Sequence, residues 1–359
     1  MIKNRSVTNR DQSIDIMKGV ATILVVLGHA IQLTLGDARM DYSLLFRIIY
    51  SFHMPFFMFL SGYLYGKYGK VFDYKWLYRR FCGLAIPFWA WAVILWWLRE
   101  ANAGDLSLLE RLGRLLLDPS DNGLWFLTAL FWCCVMTSAS WYIARIFGGL
   151  LKGINRKKTV GIMPIHAMLL ILLIIMFCYF RYIKVLNMPY RLSCQTNIYF
   201  GIAFLLGKID FLNRLKAMNR KLYVLIFCLV FITYSLCMTR WQRNMNIQML
   251  FSSYPGMFKQ LLYFAFVVGV PILGIYLAVC VCILLDEYAN VSIKSVLGYL
   301  GENSLAIYAM QWLFLSALVG GYWLTIIAKT LTGLVMPVFI SEHLLKRIKF
   351  TRILFLGGR

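Results

Sequence analysis

A histidine stands inside a stretch of apolar residues long enough to cross a membrane. The segment from Arg10 to His29 reads RDQSIDIMKGVATILVVLGH, and the apolar run continues past it. An ionisable side chain in such a helix is costly and marks a functional site by default. At about 100° per residue, Asp15, Lys18 and Thr22 fall within roughly 40° of the face that carries His29. The predicted helix therefore combines an apolar surface with a polar stripe.

The composition is that of an integral membrane protein. Of the 359 residues, 61% are hydrophobic and 14% are charged, whereas soluble domains average about 25% charged residues. Each crossing needs about 20 apolar residues, so the pattern predicts an all-α, polytopic fold with about ten transmembrane helices. We expect the spans near residues 17–35, 46–65, 84–98, 124–146, 163–180, 196–207, 222–238, 261–285, 303–319 and 322–340.

Lysine and arginine are distributed unevenly between the connections. With the N-terminus inside, the inner connections and tails carry 25 of the 37 basic residues and the outer ones carry 11. Because basic residues favour the cytoplasmic side, both termini are predicted to be cytoplasmic. This bias, with attraction to anionic membrane lipids, explains the net charge of +22 without nucleic-acid binding. We expect one membrane domain over residues 1–345 and a basic cytoplasmic tail over residues 346–359.

The nine cysteines show no spacing typical of metal ligands. Most of them lie inside predicted spans, where a free cysteine packs as a small apolar residue. No metal or prosthetic group is therefore expected.

Two histidines are predicted at the same depth in consecutive antiparallel spans. His29 stands about 21 Å along a helix that starts near Asp15, which leaves about 9 Å of a ~30 Å apolar core above it. By the same rise, His53 lies about 10 Å below the outer face in the second span. Histidine transfers protons near neutral pH. A neutral His29 is therefore a candidate base for a hydroxyl that attacks an activated acyl group.

Basic residues mark the cytoplasmic end of the same face. Lys18 lies about 16 Å below His29 and cannot hydrogen-bond to it on a straight helix. Arg79 and Arg80 stand at the start of the third span. A basic entrance below a deep histidine suits an elongated anionic donor such as acyl-CoA. Structural interpretations stay open beside this one, because basic residues also anchor spans and a backbone carbonyl also satisfies a buried histidine.

Five short motifs follow one another along the chain. They are Arg10 with Ile14-Asp15, Lys18-Gly19 and Gly28-His29; FHMPFFMFLSGYL over 52–64; Arg79 and Arg80 ahead of Leu84 and Pro87; GLWFL over 123–127; and GENSLAIYAMQ over 301–311. With these motifs the chain resembles the acyltransferase 3 family of bacterial membrane acyltransferases, particularly its fucose-4-O-acetylase-like branch, from Arg10 to about residue 340. Two positions depart from the family pattern: Gln311 stands where a histidine is common, and Gly83 where a second arginine is common.

The resemblance implies an enzyme of the bacterial cytoplasmic membrane, an O-acyltransferase. Its donor would be acetyl-CoA on the cytoplasmic side, and its acceptor a hydroxyl of a cell-surface glycan or of a lipid-linked precursor. His29 would be the central catalytic residue, with Asp15 and Lys18 as further catalytic residues. The remaining candidate residues are Arg10, Lys18, Arg79 and Arg80 for donor binding, and His53, Ser61, Trp125, Tyr308 and Gln311 for the acceptor or acyl group.

Two other functions stay open. A transporter or flippase of lipid-linked glycan would move its cargo without CoA and would spread polar residues over several spans, whereas the ionisable residues here concentrate on the first two. A non-catalytic scaffold of a glycan assembly complex would be free to lose the first motif, yet Arg10, Asp15, Lys18 and His29 are all present. The sequence therefore favours an enzyme.

Overall fold

A computed structural model of the chain describes residues 11–69, 74–99, 107–117, 123–150, 166–168, 171, 188–243, 256–315 and 321–358. Nearly all of these residues are helical, and within these ranges there is no β-strand. The helices are α1 Gln12–Leu35, α2 Leu44–Tyr68, α3 Tyr74–Arg99, α4 Leu108–Leu117, α5 Trp125–Leu150, α6 Met188–Lys208, α7 Phe211–Lys216, α8 Arg220–Met238, α9 Gly256–Tyr288, α10 Val291–Glu302, α11 Ser304–Phe314, α12 Tyr322–Ile340 and α13 Lys349–Leu356, with a 3-10 turn at Met40–Tyr42 and a π-helical turn at Ser341–Leu345.

Seven of these helices are long and apolar enough to cross a membrane. They are α1, α2, α3, α5, α8, α9 and α12, and each overlaps a predicted span. Helix α3 begins at Tyr74, ten residues before the predicted start of the third span, and therefore contains Arg79 and Arg80. The predicted sixth span lies in α6, which is not among the seven, and the ninth corresponds to the shorter apolar helix α11. The fifth predicted span, 163–180, lies almost wholly outside the described residues. The polytopic helical fold is confirmed, and the count of ten and the orientation stay predictions.

The chain packs as two compact units. The first comprises Met1–Met54 and Met218–Val338, and the second comprises Pro55–Ala217 and Phe339–Arg359. In the first unit, α1 contacts α9, α10 and α11. Its backbone touches that of α10, because a Cβ atom added to Gly19 would lie 2.0 Å from the Leu297 carbonyl oxygen. Small residues at such a crossing allow two membrane helices to approach closely.

An apolar cluster surrounds the C-terminal half of α1 in the first unit. Val26, Ala30 and Ile31 are buried against residues of α2, α11 and α12, among them Phe46 and Ile307. Close packing of this kind restricts side-chain movement. The cluster therefore fixes the helix on which His29 stands.

The second unit is built from the rest of α2 with α3 to α7 and α13. Gly62 on α2 lies against the backbone of α6, where an added Cβ atom would stand 2.2 Å from the Phe200 carbonyl oxygen. Lys67 and Asp210 form an ion pair at 2.8 Å, which lowers the pKa of the Asp210 carboxyl below its ordinary value. Residues of the predicted basic tail form α13, which packs on α3.

Candidate active site around His29

Helix α1 carries His29 near its C-terminal end, on a continuous run of 24 helical residues. The turn before His29 is apolar, so the backbone has no competing hydrogen-bond partners and stays helical. Gly28 leaves room beside the histidine: a Cβ atom at this position would lie 3.0 Å from Cε2 of Tyr50 and 3.0 Å from Cγ2 of Ile49. The missing side chain therefore lets α2 place Tyr50 next to His29.

Three polar side chains meet at this point. The hydroxyl oxygen of Tyr50 lies 3.0 Å from Nδ1 of His29. The same hydroxyl donates to Oε1 of Gln32 at 2.5 Å. Gln32 follows His29 by three residues and therefore lies on nearly the same face of α1. Tyr50 thus connects two side chains of one helix.

The polar chain continues outward to a charged pair. Gln32 donates through Nε2 to Oδ1 of Asp37 at 3.0 Å. Asp37 lies 3.9 Å from the guanidinium Nη1 of Arg243, and its side chain is 82% exposed. The guanidinium also stands over the Tyr50 ring, 5.2 Å from its centroid. Arg243 thus lies at the Asp37 end of this series of hydrogen-bonded side chains, where it pairs with the Asp37 carboxylate and makes a cation–π contact with Tyr50.

The ring of Trp312 on α11 covers His29, with 4.4 Å between the ring centroids. The indole Nε1 of Trp312 is buried and has no hydrogen-bond partner in the described part of the chain. Its neighbour Gln311 is fully buried and donates to the Tyr308 carbonyl at 3.4 Å. Oε1 of Gln311 is likewise unpaired among the described residues. Buried polar atoms without partners are rare in native proteins, so these two atoms are candidates for hydrogen bonds to a ligand.

His53 lies on the other side of Tyr50, with 4.7 Å between the ring centroids. It is buried, and its Nδ1 donates to the Ile49 carbonyl at 2.8 Å within α2. The two histidines predicted at one depth therefore flank the same tyrosine. His53 also has the backbone partner that the structural interpretation of a buried histidine expects.

Asp15 and Lys18 lie at the opposite end of α1. They precede His29 by 14 and 11 residues on one continuous helix, which separates them from it by about 21 and 16 Å. Lys18 Nζ lies 3.7 Å from Asp15 Oδ1. Neither residue contacts His29, so any catalytic role predicted for them acts away from the histidine. Their assignment to donor binding stays a prediction.

The other predicted site residues belong to the second unit or lie outside the described residues. Arg80 places its guanidinium 5.0 Å from the centroid of the Trp76 ring, and Arg79 donates through Nε to the Lys75 carbonyl at 3.2 Å. The remaining three residues are Ser61, which is half-buried on α2; Trp125, which begins α5; and Arg10, which lies outside the described residues.

Sequence reasoning missed Tyr50, Gln32, Asp37, Arg243 and Trp312. Two signals were available in the sequence: Gln32 interrupts the apolar run three residues after His29, and Tyr50 precedes His53 by three residues. Arg243 and Trp312 carried no such signal, because each comes from a distant part of the chain and is an ordinary residue type for its surroundings.

The fold and this site define a multi-pass helical membrane protein in which a tyrosine, a glutamine and a tryptophan surround a histidine of an apolar helix. A family model described as an acyltransferase domain matches residues 11–341. The chain belongs to this family, the acyltransferase 3 family, which confirms the resemblance inferred from the motifs and the predicted class, an acyltransferase enzyme.

Two curated relatives share shorter segments with the chain. Nodulation protein NolL of Mesorhizobium japonicum is 34% identical over 129 residues, which is 34% of each protein. Nodulation protein NolL of Sinorhizobium fredii is 50% identical over 58 residues, or 16% of each. The chain thus spans about a third of the first relative and about a sixth of the second. No solved structure matches the chain.

Proposed function

We propose that this protein is a membrane O-acyltransferase that moves an acyl group from acyl-CoA to a hydroxyl of a glycan or of its lipid-linked precursor. The acyl group that we propose is acetyl. The observation that carries the proposal is His29. It stands in an apolar helix, its Nδ1 lies 3.0 Å from the Tyr50 hydroxyl, and the Trp312 ring lies 4.4 Å from its own ring. Membership of the acyltransferase family supports this reaction class.

His29 acts as a general base in the proposed reaction. Its Nε2 lone pair takes the proton of the acceptor hydroxyl while the hydroxyl oxygen attacks the carbonyl carbon of the thioester. A C–O bond forms, and the C–S bond breaks when the tetrahedral intermediate collapses. The proton then passes from Nε2 to the leaving thiolate of CoA. His29 returns to its neutral form, and the products are the acyl ester and free CoA.

Two buried atoms on α11, the helix whose Trp312 ring contacts His29, are suited to hold the acceptor. Nε1 of Trp312 is a donor and Oε1 of Gln311 is an acceptor, and both lack partners among the described residues. A hydroxyl-rich sugar would satisfy both, and each hydrogen bond made to a buried orphan atom favours binding. Gln311 is therefore proposed for the acceptor, and His53 and Tyr308 of the same unit stay proposals for the acceptor or acyl group. The same role for Ser61 and Trp125 stays a separate prediction from the sequence.

Donor binding is proposed for the basic residues at the predicted cytoplasmic entrance. Arg79 and Arg80 present guanidinium groups, which match phosphate oxygens in charge and geometry. Lys18 and Arg10 add two further cations from the first motif. The protein would act in the bacterial cytoplasmic membrane, taking acyl-CoA from the cytoplasm and modifying a glycan of the cell envelope.

The test measures CoA release from radiolabelled acetyl-CoA by the purified protein in nanodiscs, with and without a lipid-linked glycan extract. We expect slow release by the wild type, stimulation by the extract, and loss of both in His29→Ala. His343→Ala is the matched control, because His343 is exposed and bonded only within its own helix. Unchanged release in His29→Ala would refute the assigned base. Failure of folded wild type to bind acetyl-CoA or release CoA would favour a transporter.

A further inference from the structure

The polar chain from Asp37 to His29 has only one consistent set of donors and acceptors. The Asp37 carboxylate accepts hydrogen bonds, so the Gln32 atom facing it at 3.0 Å is the amide nitrogen. Oε1 of Gln32 therefore faces Tyr50, and the tyrosine hydroxyl gives it its single proton. The Tyr50 oxygen then accepts from His29, whose Nδ1 lies 3.0 Å away. This makes neutral His29 the Nδ1–H tautomer.

We propose that Tyr50, Gln32 and Asp37 are positioning residues that hold His29 in the Nδ1–H tautomer, so that the Nε2 lone pair faces the acceptor hydroxyl. The inference rests on the proposed function in one respect, since it takes His29 to be the base. The arrangement serves the purpose that a buried carboxylate serves in Ser-His-Asp enzymes, where it orients the imidazole and stabilises the imidazolium. Here a phenol and an amide stand between the imidazole and the carboxylate.

The hydrogen-bonded chain of Asp37, Gln32 and Tyr50, here called the relay, is held in place at both ends by packing and charge contacts. At the inner end, Gly28 admits the Tyr50 ring, which also stacks on Phe46 with 4.0 Å between centroids. At the outer end, Arg243 pairs with Asp37 and lies over Tyr50. The backbone N–H of Arg243 is itself fixed by Asp41 at 3.1 Å. When Nε2 takes a proton, the Nδ1–H···O bond strengthens because its donor becomes cationic.

The first measurement is the protonation state of the histidine ring nitrogens by ¹⁵N solid-state NMR of the full-length protein in lipid bilayers, with His29 assigned by subtracting the spectrum of His29→Ala. We expect a protonated Nδ1 and an unprotonated Nε2 at neutral pH in the wild type. In Tyr50→Phe, the hydroxyl oxygen that lies 3.0 Å from Nδ1 is lost, and we expect the Nε2–H tautomer to grow at the expense of the Nδ1–H tautomer. An unprotonated Nδ1 in the wild type would overturn the relay.

The second measurement is steady-state kinetics of CoA release. Tyr50→Phe is expected to lower kcat by about 10- to 100-fold with little change in KM, because one hydrogen bond to a developing imidazolium is lost. Tyr234→Phe is the matched control: its hydroxyl bonds to Ser51 at 2.7 Å in the same unit and has no link to His29. Equal losses in the two variants would indicate a structural role and contradict the relay.

Two substitutions of Gln32 test whether its acceptor oxygen sets the tautomer of His29. Gln32→Glu keeps an acceptor for the Tyr50 hydroxyl, whereas Gln32→Leu removes it. We expect Gln32→Glu to keep the Nδ1–H tautomer and Gln32→Leu to lose it. If both variants give the same tautomer, Gln32 does not set it. The NMR result and the activity of His29→Ala are independent, so failure of the relay is distinguishable from failure of the proposed function.

Discussion

Gly28→Ala is expected to reduce activity while leaving the protein folded, because the added methyl group reaches the Tyr50 ring and not a backbone. A Cβ atom at position 28 would lie 3.0 Å from Cε2 of Tyr50 and from Cγ2 of Ile49. Optimal contact between carbon atoms is about 3.5–4.0 Å, so the ring has to move by roughly 0.5 Å or more. The hydrogen bond from His29 to the Tyr50 oxygen, now 3.0 Å, then lengthens toward the limit of a useful bond.

The expected loss is about 10- to 100-fold in kcat, the same size as that of Tyr50→Phe, because both changes remove one hydrogen bond to the histidine. Overpacking of this kind lowers stability by about 1–3 kcal/mol. The assays are CoA release and thermal unfolding in the same nanodiscs. Gly113→Ala on α4 is the control, because nothing lies within 4 Å of its added Cβ atom. Full activity of Gly28→Ala would refute the reasoning, since the tyrosine would then not need its present position.

Three further substitutions test the packing and the charges. Gly19→Ala is expected to lower the melting temperature far more than Gly28→Ala, because the Cβ atom added at position 19 would lie 2.0 Å from a backbone carbonyl of α10. A small effect would mean that α1 and α10 separate readily. Lys329→Met is expected to raise the melting temperature, because Lys329 is 4% exposed inside α12 and its ammonium group has no ion-pair partner among the described residues. An intramembrane lysine disfavours insertion by about 2.5–3.5 kcal/mol. Lys349→Met is the control, because the side chain of Lys349 is exposed. Asp210→Asn is expected to destabilise the protein by up to about 1 kcal/mol, because the substitution removes the ion pair with Lys67. The effect is small since the Asp210 side chain is 44% exposed. Because the pairing lowers the pKa of Asp210, this difference from wild type should be present above about pH 4 and vanish as the pH falls further; a difference that persists in acid would contradict the ion pair.

The helical membrane fold was largely predictable because lipid-facing helices must be apolar over about 20 residues. The run that ends past His29 predicted α1, and the limits of α2 and α8 were placed within a few residues. Helix α10 was not predicted, since residues 286–302 were taken as a connection. It has only 12 residues, too few to cross a membrane, and it is stabilised by backbone contact with α1 at Gly19 and Gly301. That contact depends on tertiary packing and leaves no periodic signal.

The sequence by itself determined the class of the protein and singled out His29 as the candidate base. An ionisable residue in an apolar helix is conspicuous in any sequence, and the flanking motif is specific enough to indicate the family. The surroundings of that histidine were decided by the tertiary structure. Tyr50 comes from α2, Trp312 from α11 and Arg243 from the segment after α8. Their meeting depends on helix packing between positions up to 283 residues apart, and periodicity within one helix carries no information about such distant contacts.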